Sequence, residues 1–260
     1  MPSLNQPLIS EYKQLFNSCI IRPEKFSVLD NTIKLILAGR PHYEAVEAKI
    51  NVPWYFTGII HCLEGSLNFQ THLHNGDSLN GKTRNVPRDR PKAGKPPFTW
   101  EDSAIDALQL KSLHLWRDWS ISGMLFQFER YNGFGYRPHG INSPYLWSFS
   151  NHYLKGKFVK DGIFNENAGS KQCGAAVLLR RMSERQIAVT GELDTVSQIK
   201  LLGSKVRFAP KKFNEHAQEL QRLLNSVGIP LRIDGFAGRM TSDGFLAVSG
   251  MRLPGDPQQT

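Results

Sequence analysis

Apolar residues recur along much of this 260-residue chain at the three-to-four-residue interval of amphipathic helices. Residues 8–20 place Leu8, Tyr12, Leu15, Phe16 and Cys19 on one face. Residues 23–38 predict a second helix or two short ones; Pro41 interrupts the run, and 42–50 predict a short helix leading into Pro53. The turns after Pro53 are mostly apolar (Trp54, Phe56, Ile59, Ile60 and Leu63), as expected of a buried central helix. Pro53 can open it, because a residue at the first helical position needs no intrahelical amide donor. Thr99 caps a helix starting at Trp100, with Asp102 at the capping-box spacing and Ile105, Leu108 and Leu113 as the buried stripe. Residues 119–131 and 172–188 complete the helical set.

Strand patterns are scarce. Residues 66–90 hold short polar segments and turn formers, including the hairpin-favouring pair Asn75-Gly76, so a small antiparallel ribbon is expected there. Residues 87–97 carry too much proline and charge for a core element. The stretch YNGFGYRPHGINSPYLWSFSNHY is too irregular for one helix and too apolar for a linker, which suits a groove wall. The expected fold is mainly α with a small antiparallel β-ribbon over residues 1–195. After a transitional segment at 190–203, the pattern restarts as a small helical module over 204–257. Ala217, Leu220, Leu223 and Leu224 form one apolar face there, and Asp234-Gly235 and Gly238 build a tight turn before Thr241, Phe245 and Val248.

Composition narrows the function. With 40% hydrophobic and 21% charged residues the chain reads as soluble and globular, long enough for one core beside a small module. No apolar run approaches a membrane span, and MPSLNQPLISEY lacks the basic and apolar regions of a secretory signal. A substrate outside the cytoplasm therefore implies another export route or a trimmed chain, and localisation stays open between the two. The net charge of +9 is spread along the chain and suits a polyanion. Without a recognition helix, zinc finger or RNP-like signature, nucleic acid is not the expected partner; an anionic wall polymer, or simple solubility, accounts for the charge. Cys19, Cys62 and Cys173 are too few and too widely spaced for a disulfide scaffold or a CxxC site. The signatures HExxH, P-loop, GxGxxG and GxSxG are missing.

Glu64 stands near the end of the buried helix, before Gly65, where desolvation can raise its pKa. A protonatable glutamate beside an aromatic groove is the minimal equipment for glycosidic cleavage: the acid protonates the leaving oxygen while aromatic faces hold the sugar. Asp77, just after the Asn75-Gly76 turn, is the first candidate for a second carboxylate, with a turn-forming role as the alternative. Glu129 and Asp102 are secondary candidates. His61 lies three residues before Glu64 on the same helical face and either tunes the acid or satisfies itself. His72 and His74 alternate as on one strand face and, with Asp77, either bind a metal or make plain hydrogen bonds.

The helix ending in Glu64-Gly65-Ser66, followed by Phe69 and a short ribbon, resembles the lysozyme superfamily. Tyr131-Asn132-Gly133-Phe134-Gly135-Tyr136 looks like the YNGxGY segment of its N-acetylmuramidase-like members. The resemblance covers roughly residues 10–188 and implies a lysozyme-like α+β domain with Glu64 as general acid; it does not supply the second carboxylate. Glu219-Leu220-Gln221 and Asp234-Gly235-Phe236-Ala237-Gly238-Arg239-Met240-Thr241 resemble the ELQ and DGxxGxxT positions of a peptidoglycan-binding type 1 domain, with Gly244-Phe245 a mild departure.

Together these imply a monomeric wall glycosidase of muramidase type that cleaves β-1,4 bonds between amino sugars, with no cofactor. Glu64 protonates the glycosidic oxygen, and Asp77 or Thr71 places the water. Tyr131, Phe134, Tyr136, Tyr145 and Trp147 are expected to stack on sugars, with core packing as the alternative for each; His74 and Asn132 complete the expected substrate contacts. A chitosan- or chitin-cleaving enzyme, a lytic transglycosylase and a non-catalytic wall-binding protein remain alternatives.

Overall fold

A computed structural model describes residues 2–160, 162–185, 187 and 195–259. Its first helix, α1 (Gln6–Asn17), starts where the Asn5 side chain accepts from the Leu8 amide, and it buries Leu8, Tyr12 and Phe16. Next come α2 (Phe26–Ala38) and α3 (Arg40–Ile50). Pro41 falls in the first turn of α3, where it opens a helix rather than breaking one. Asn51, in the left-handed region at φ 54°, ends it.

The next helix, α4 (Trp54–Gly65), is buried on nearly every turn, which marks it as the central helix of the larger core. Gly58 permits the close approach of α2, since a β-carbon there would meet the Ile36 side chain at 2.7 Å. Ser66, at φ 50°, turns the chain out of α4 immediately after Glu64 and Gly65.

The Thr99 hydroxyl caps α5 (Trp100–Leu110) by accepting from the Asp102 amide at 3.1 Å. The same large core is completed by α6 (Ile121–Asn132), the single-turn α7 (Pro144–Trp147) and α8 (Ala175–Glu184). The expected continuation of α8 to residue 188 runs outside the described residues.

The lysozyme-like α+β expectation is overturned. Helices hold 51% of the chain and β-structure only 5%, and residues 66–90 form no ribbon beyond one bridge between Thr71 and Ser78. The reason lies in how that loop satisfies its backbone. The Asp77 carboxylate takes the Arg84 and Asn85 amides, the Asn75 side chain takes the Asp77 amide, and the Thr83 hydroxyl donates to the Pro87 carbonyl. Side chains do here what a neighbouring strand does in a sheet. Pro87 and Pro91 also remove donors. The antiparallel pair instead joins β1 (Lys157–Lys160) to β2 (Ile163–Asn165), with Phe158 opposite Phe164 and both rings packed on Tyr136.

A second core gathers Val196, Ile199, Ala217, Leu220, Leu224, Phe245 and Val248 from α9 (Thr195–Gly203), α10 (Glu215–Ser226) and α11 (Arg239–Ser249). The unassigned stretch between the two expected domains thus supplies α9 to this core, while 188–194 lie outside the described residues. Gln221 organises the turn after α10: its amide nitrogen donates to Asp234, Phe236 and Thr241, and its oxygen accepts from the Asp234 and Gly235 amides. Lys200 of α9 reaches back to Glu184 of α8 at 2.6 Å. Among the described residues no helix is long and apolar enough to cross a membrane.

Candidate active site

The site forms where the end of α4 meets α7, the end of α6 and the turn after α5. Tyr145, on α7, donates its hydroxyl to Glu64 Oε1 at 2.7 Å. Tyr131, in the last turn of α6, has its phenol's pKa raised first by burial and then by the nearby Glu64 charge. Lys111, the cap of α5, holds its ammonium 4.8 Å from the centre of the Tyr131 ring and acts electrostatically on Glu64.

Glu64 keeps solvent-accessible surface, yet the surrounding protein withholds full hydration and pushes its pKa above the usual carboxylate range. The Tyr145 hydrogen bond and the Lys111 charge pull the other way without cancelling that desolvation. This combination describes a surface carboxyl, open to a ligand but poorly served by water. Tyr145 is pushed well above a phenol's ordinary pKa by burial and by Glu64, so it remains a fixed donor.

Two cavities flank Tyr131-Asn132. One of about 280 Å³ is lined by Lys111, Ser112, Gln127, Arg130 and Tyr131 among others. The other, of about 430 Å³, lies along exposed Asn132 and Lys160 and buried Tyr136. Concave surface is therefore present beside the aromatic motif, and Glu64 and Tyr145 line neither cavity.

The other expected site residues go elsewhere. Asp77 hydrogen-bonds Arg84, Asn85 and Asn75 within its own loop, and the Asn85 and Arg84 amides hold its pKa down. No hydrogen bond links it to Glu64 among the described residues. Thr71 donates to the Asn68 carbonyl, and His74 Nε2 pairs with Asp106 at 2.8 Å. Phe134 packs on Phe126, and Tyr136 is buried, its hydroxyl accepting from the Phe158 amide. Trp147, 2% exposed, is a core residue edge-on to His152. Of the five aromatics expected to stack on sugar, the structure gathers Tyr131 and Tyr145 at Glu64.

The secondary candidates are also committed. Glu129 is clamped by Arg137 at 2.7 and 2.9 Å and by the Tyr12 hydroxyl at 2.5 Å. Asp102 is exposed in the first turn of α5. His61 faces inward to the Tyr43 hydroxyl and the Trp100 ring, and burial pushes its pKa down to about 4. His72 bonds Ser103 and the Gly81 carbonyl. Among the described residues no three His, Cys, Asp or Glu side chains gather as a metal site.

Sequence reasoning missed Lys111, Arg130 and Gln127, whose relevance depends on the turn after α5 folding against α6. It also missed that the free thiols of Cys62 and Cys173 meet, hydrogen-bonding near the same tyrosine. Comparisons with protein-family models, curated proteins and solved structures found no match. With no β-lip and no relative behind it, the lysozyme and muramidase assignment does not hold.

Proposed function

We propose that the chain is a glycosidase that cleaves β-1,4 bonds between amino sugars in a wall polymer such as peptidoglycan, with Glu64 as general acid. One observation carries this reading: a solvent-accessible glutamate with a raised pKa, held by a tyrosine donor and close to Tyr131, which itself borders a cavity. Tyr145 donates to Oε1, which leaves Oε2 to carry the carboxyl proton. Its transfer to the glycosidic oxygen lets the C1–O bond break through an oxocarbenium-like state, which water then captures at C1. The C-terminal unit is read as a wall anchor on the strength of its ELQ and DGxxGxxT residues.

The binding of Asp77 within its own loop favours a second outcome. A carboxylate with a lowered pKa and four donors around it is a poor base. Glu64, once deprotonated, can itself accept the proton of the sugar's C6 hydroxyl as that oxygen closes on C1, leaving an anhydro end. Digestion of purified peptidoglycan by wild type and Glu64→Gln, with mass analysis of released fragments, tests both. Reducing ends from wild type alone support hydrolysis, and anhydro ends support intramolecular attack. Equal release by both proteins, or none from peptidoglycan, chitin or chitosan, overturns the glycosidase reading.

A further inference from the structure

The 280 Å³ cavity beside Tyr131 has a composition that glycosidic chemistry does not explain. Two cations line it, and among the described residues neither Lys111 nor Arg130 forms an ion pair with a carboxylate within 4 Å, though the Lys111 charge is felt at Glu64. Arg130 spends one donor on the Lys111 carbonyl at 2.7 Å, and incomplete hydration lowers its pKa. Most of its five N–H donors remain for a ligand. In the same wall Gln127 is fully buried, and among the described residues neither its amide oxygen nor its amide nitrogen has a hydrogen-bond partner. A buried amide left unpaired at both ends is costly, so such a residue is kept where something else complements it. Ser112 adds a hydroxyl at the mouth, and Leu110 and Leu113 supply apolar wall.

Two cations next to an unpaired amide match one ligand chemistry. A carboxylate satisfies the guanidinium and ammonium, and a neighbouring peptide unit can both accept from and donate to Gln127. A neutral acetylated sugar offers no anion, and a polymer of free amino sugars is repelled. We infer that this cavity is a subsite for an acidic peptide substituent amide-linked to the sugar chain, and that it makes the stem-bearing polymer the preferred substrate. The inference rests on the glycosidase reading for its substrate backbone and adds to it the group that selects among amino-sugar polymers. Tyr131 is the shared wall: one side belongs to the Glu64 cluster and the other to the subsite.

The test measures binding rather than cleavage, so that it stands apart from catalysis. Full-length Glu64→Gln is titrated calorimetrically with two soluble amino-sugar tetramers, one plain and one carrying an acidic dipeptide stem. The stem-bearing tetramer is expected to bind about 10-fold more tightly, in the range of one charge-assisted contact. Adding Lys111→Met and Arg130→Gln together removes that preference; Arg130→Gln alone lowers it and leaves affinity for the plain tetramer unchanged, and Arg130→Lys in its place retains most of it. Thermal melts confirm that each variant is folded. Equal binding of the two tetramers by Glu64→Gln, or a preference that survives loss of both cations, overturns the subsite. If the preference is present and wild type cleaves neither tetramer nor polymer, the subsite stands and the glycosidase reading falls.

Discussion

Glu64 and Asp77 bracket one loop, and the fold treats their carboxylates in opposite ways. Among the described residues Glu64 has a single hydrogen-bond donor, Tyr145, and a raised pKa; Asp77 collects four donors and a lowered one. The signs carry through to stability. A carboxyl whose folded pKa is raised favours the folded state at low pH and weakens it as pH climbs above the ordinary value of 4.5. Asp77 does the reverse, supporting the fold above 3.8 and losing that support as pH falls. An acid that must release a proton near neutrality needs the first environment, and a loop that must hold its shape needs the second.

The largest effect should come from removing the proton itself. Glu64→Gln keeps an acceptor for Tyr145 and the side-chain volume, yet cannot protonate a leaving oxygen. Release of soluble fragments should fall by about 10³-fold with an unchanged melting temperature. A loss below about 10-fold would mean that another group supplies the proton.

His61 sharpens the comparison from inside the same helix. The desolvation that favours neutral Glu64 also favours neutral His61, whose pKa falls from 6.5 to about 4. The folded state therefore binds fewer protons than the unfolded chain between these values. Stability is full above pH 6.5 and declines as pH falls toward 4, by about 3 kcal/mol across the window. His61→Phe, which keeps a ring among Tyr43, Phe69 and Trp100, should flatten that acid limb in urea titrations run from pH 7 to 4. An acid limb of unchanged slope would assign it to other groups.

Much of the scaffold was readable because it depends on local rules. The apolar period marked α1, α4 and α6, Thr99 marked the start of α5, and the position of Glu64 at the end of a buried helix marked it as unusual. What the sequence hid depends on distant partners. Asp77 takes amides seven and eight residues ahead only because the loop between curls back. The strand pair formed at 157–165 because Phe158 and Phe164 find Tyr136 and His139 to pack on, while the polar ribbon region has no comparable apolar face. Tyr131 and Tyr145 could not be separated from Phe134, Tyr136 and Trp147 by composition, since all are aromatics in one irregular stretch. Only the docking of α7 against the end of α4 decides which of them meets the acid.

Tyr145 tests how the raised pKa is used. Its hydroxyl lowers the pKa of Glu64 against a larger desolvation, so Tyr145→Phe should raise that pKa further and move the alkaline limb of the rate profile upward. The same change frees the carboxyl to rotate, so the maximal rate should fall by about 10-fold, the usual scale for one orienting hydrogen bond. A profile shifted downward would mean that the phenol destabilises the carboxylate.

The smallest effect on rate is expected at Asp77, where the comparison is most exposed to refutation. Every group that meets this carboxylate is a donor: the Arg84 and Asn85 amides and the side-chain amides of Asn75 and Asn85. Asp77→Asn sets an N–H₂ against at least one of them, so the loop should loosen and the melting temperature should fall. Cleavage measured well below that temperature should change by less than about 2-fold, because nothing about Glu64, Tyr145 or Tyr131 is altered. If the rate instead drops more than about 10-fold while melting stays at the wild-type value, Asp77 contributes to the reaction and not only to the loop. In that case the loop places its carboxylate at the substrate despite its four partners, and the opposition between the two acids becomes a division of labour within one site.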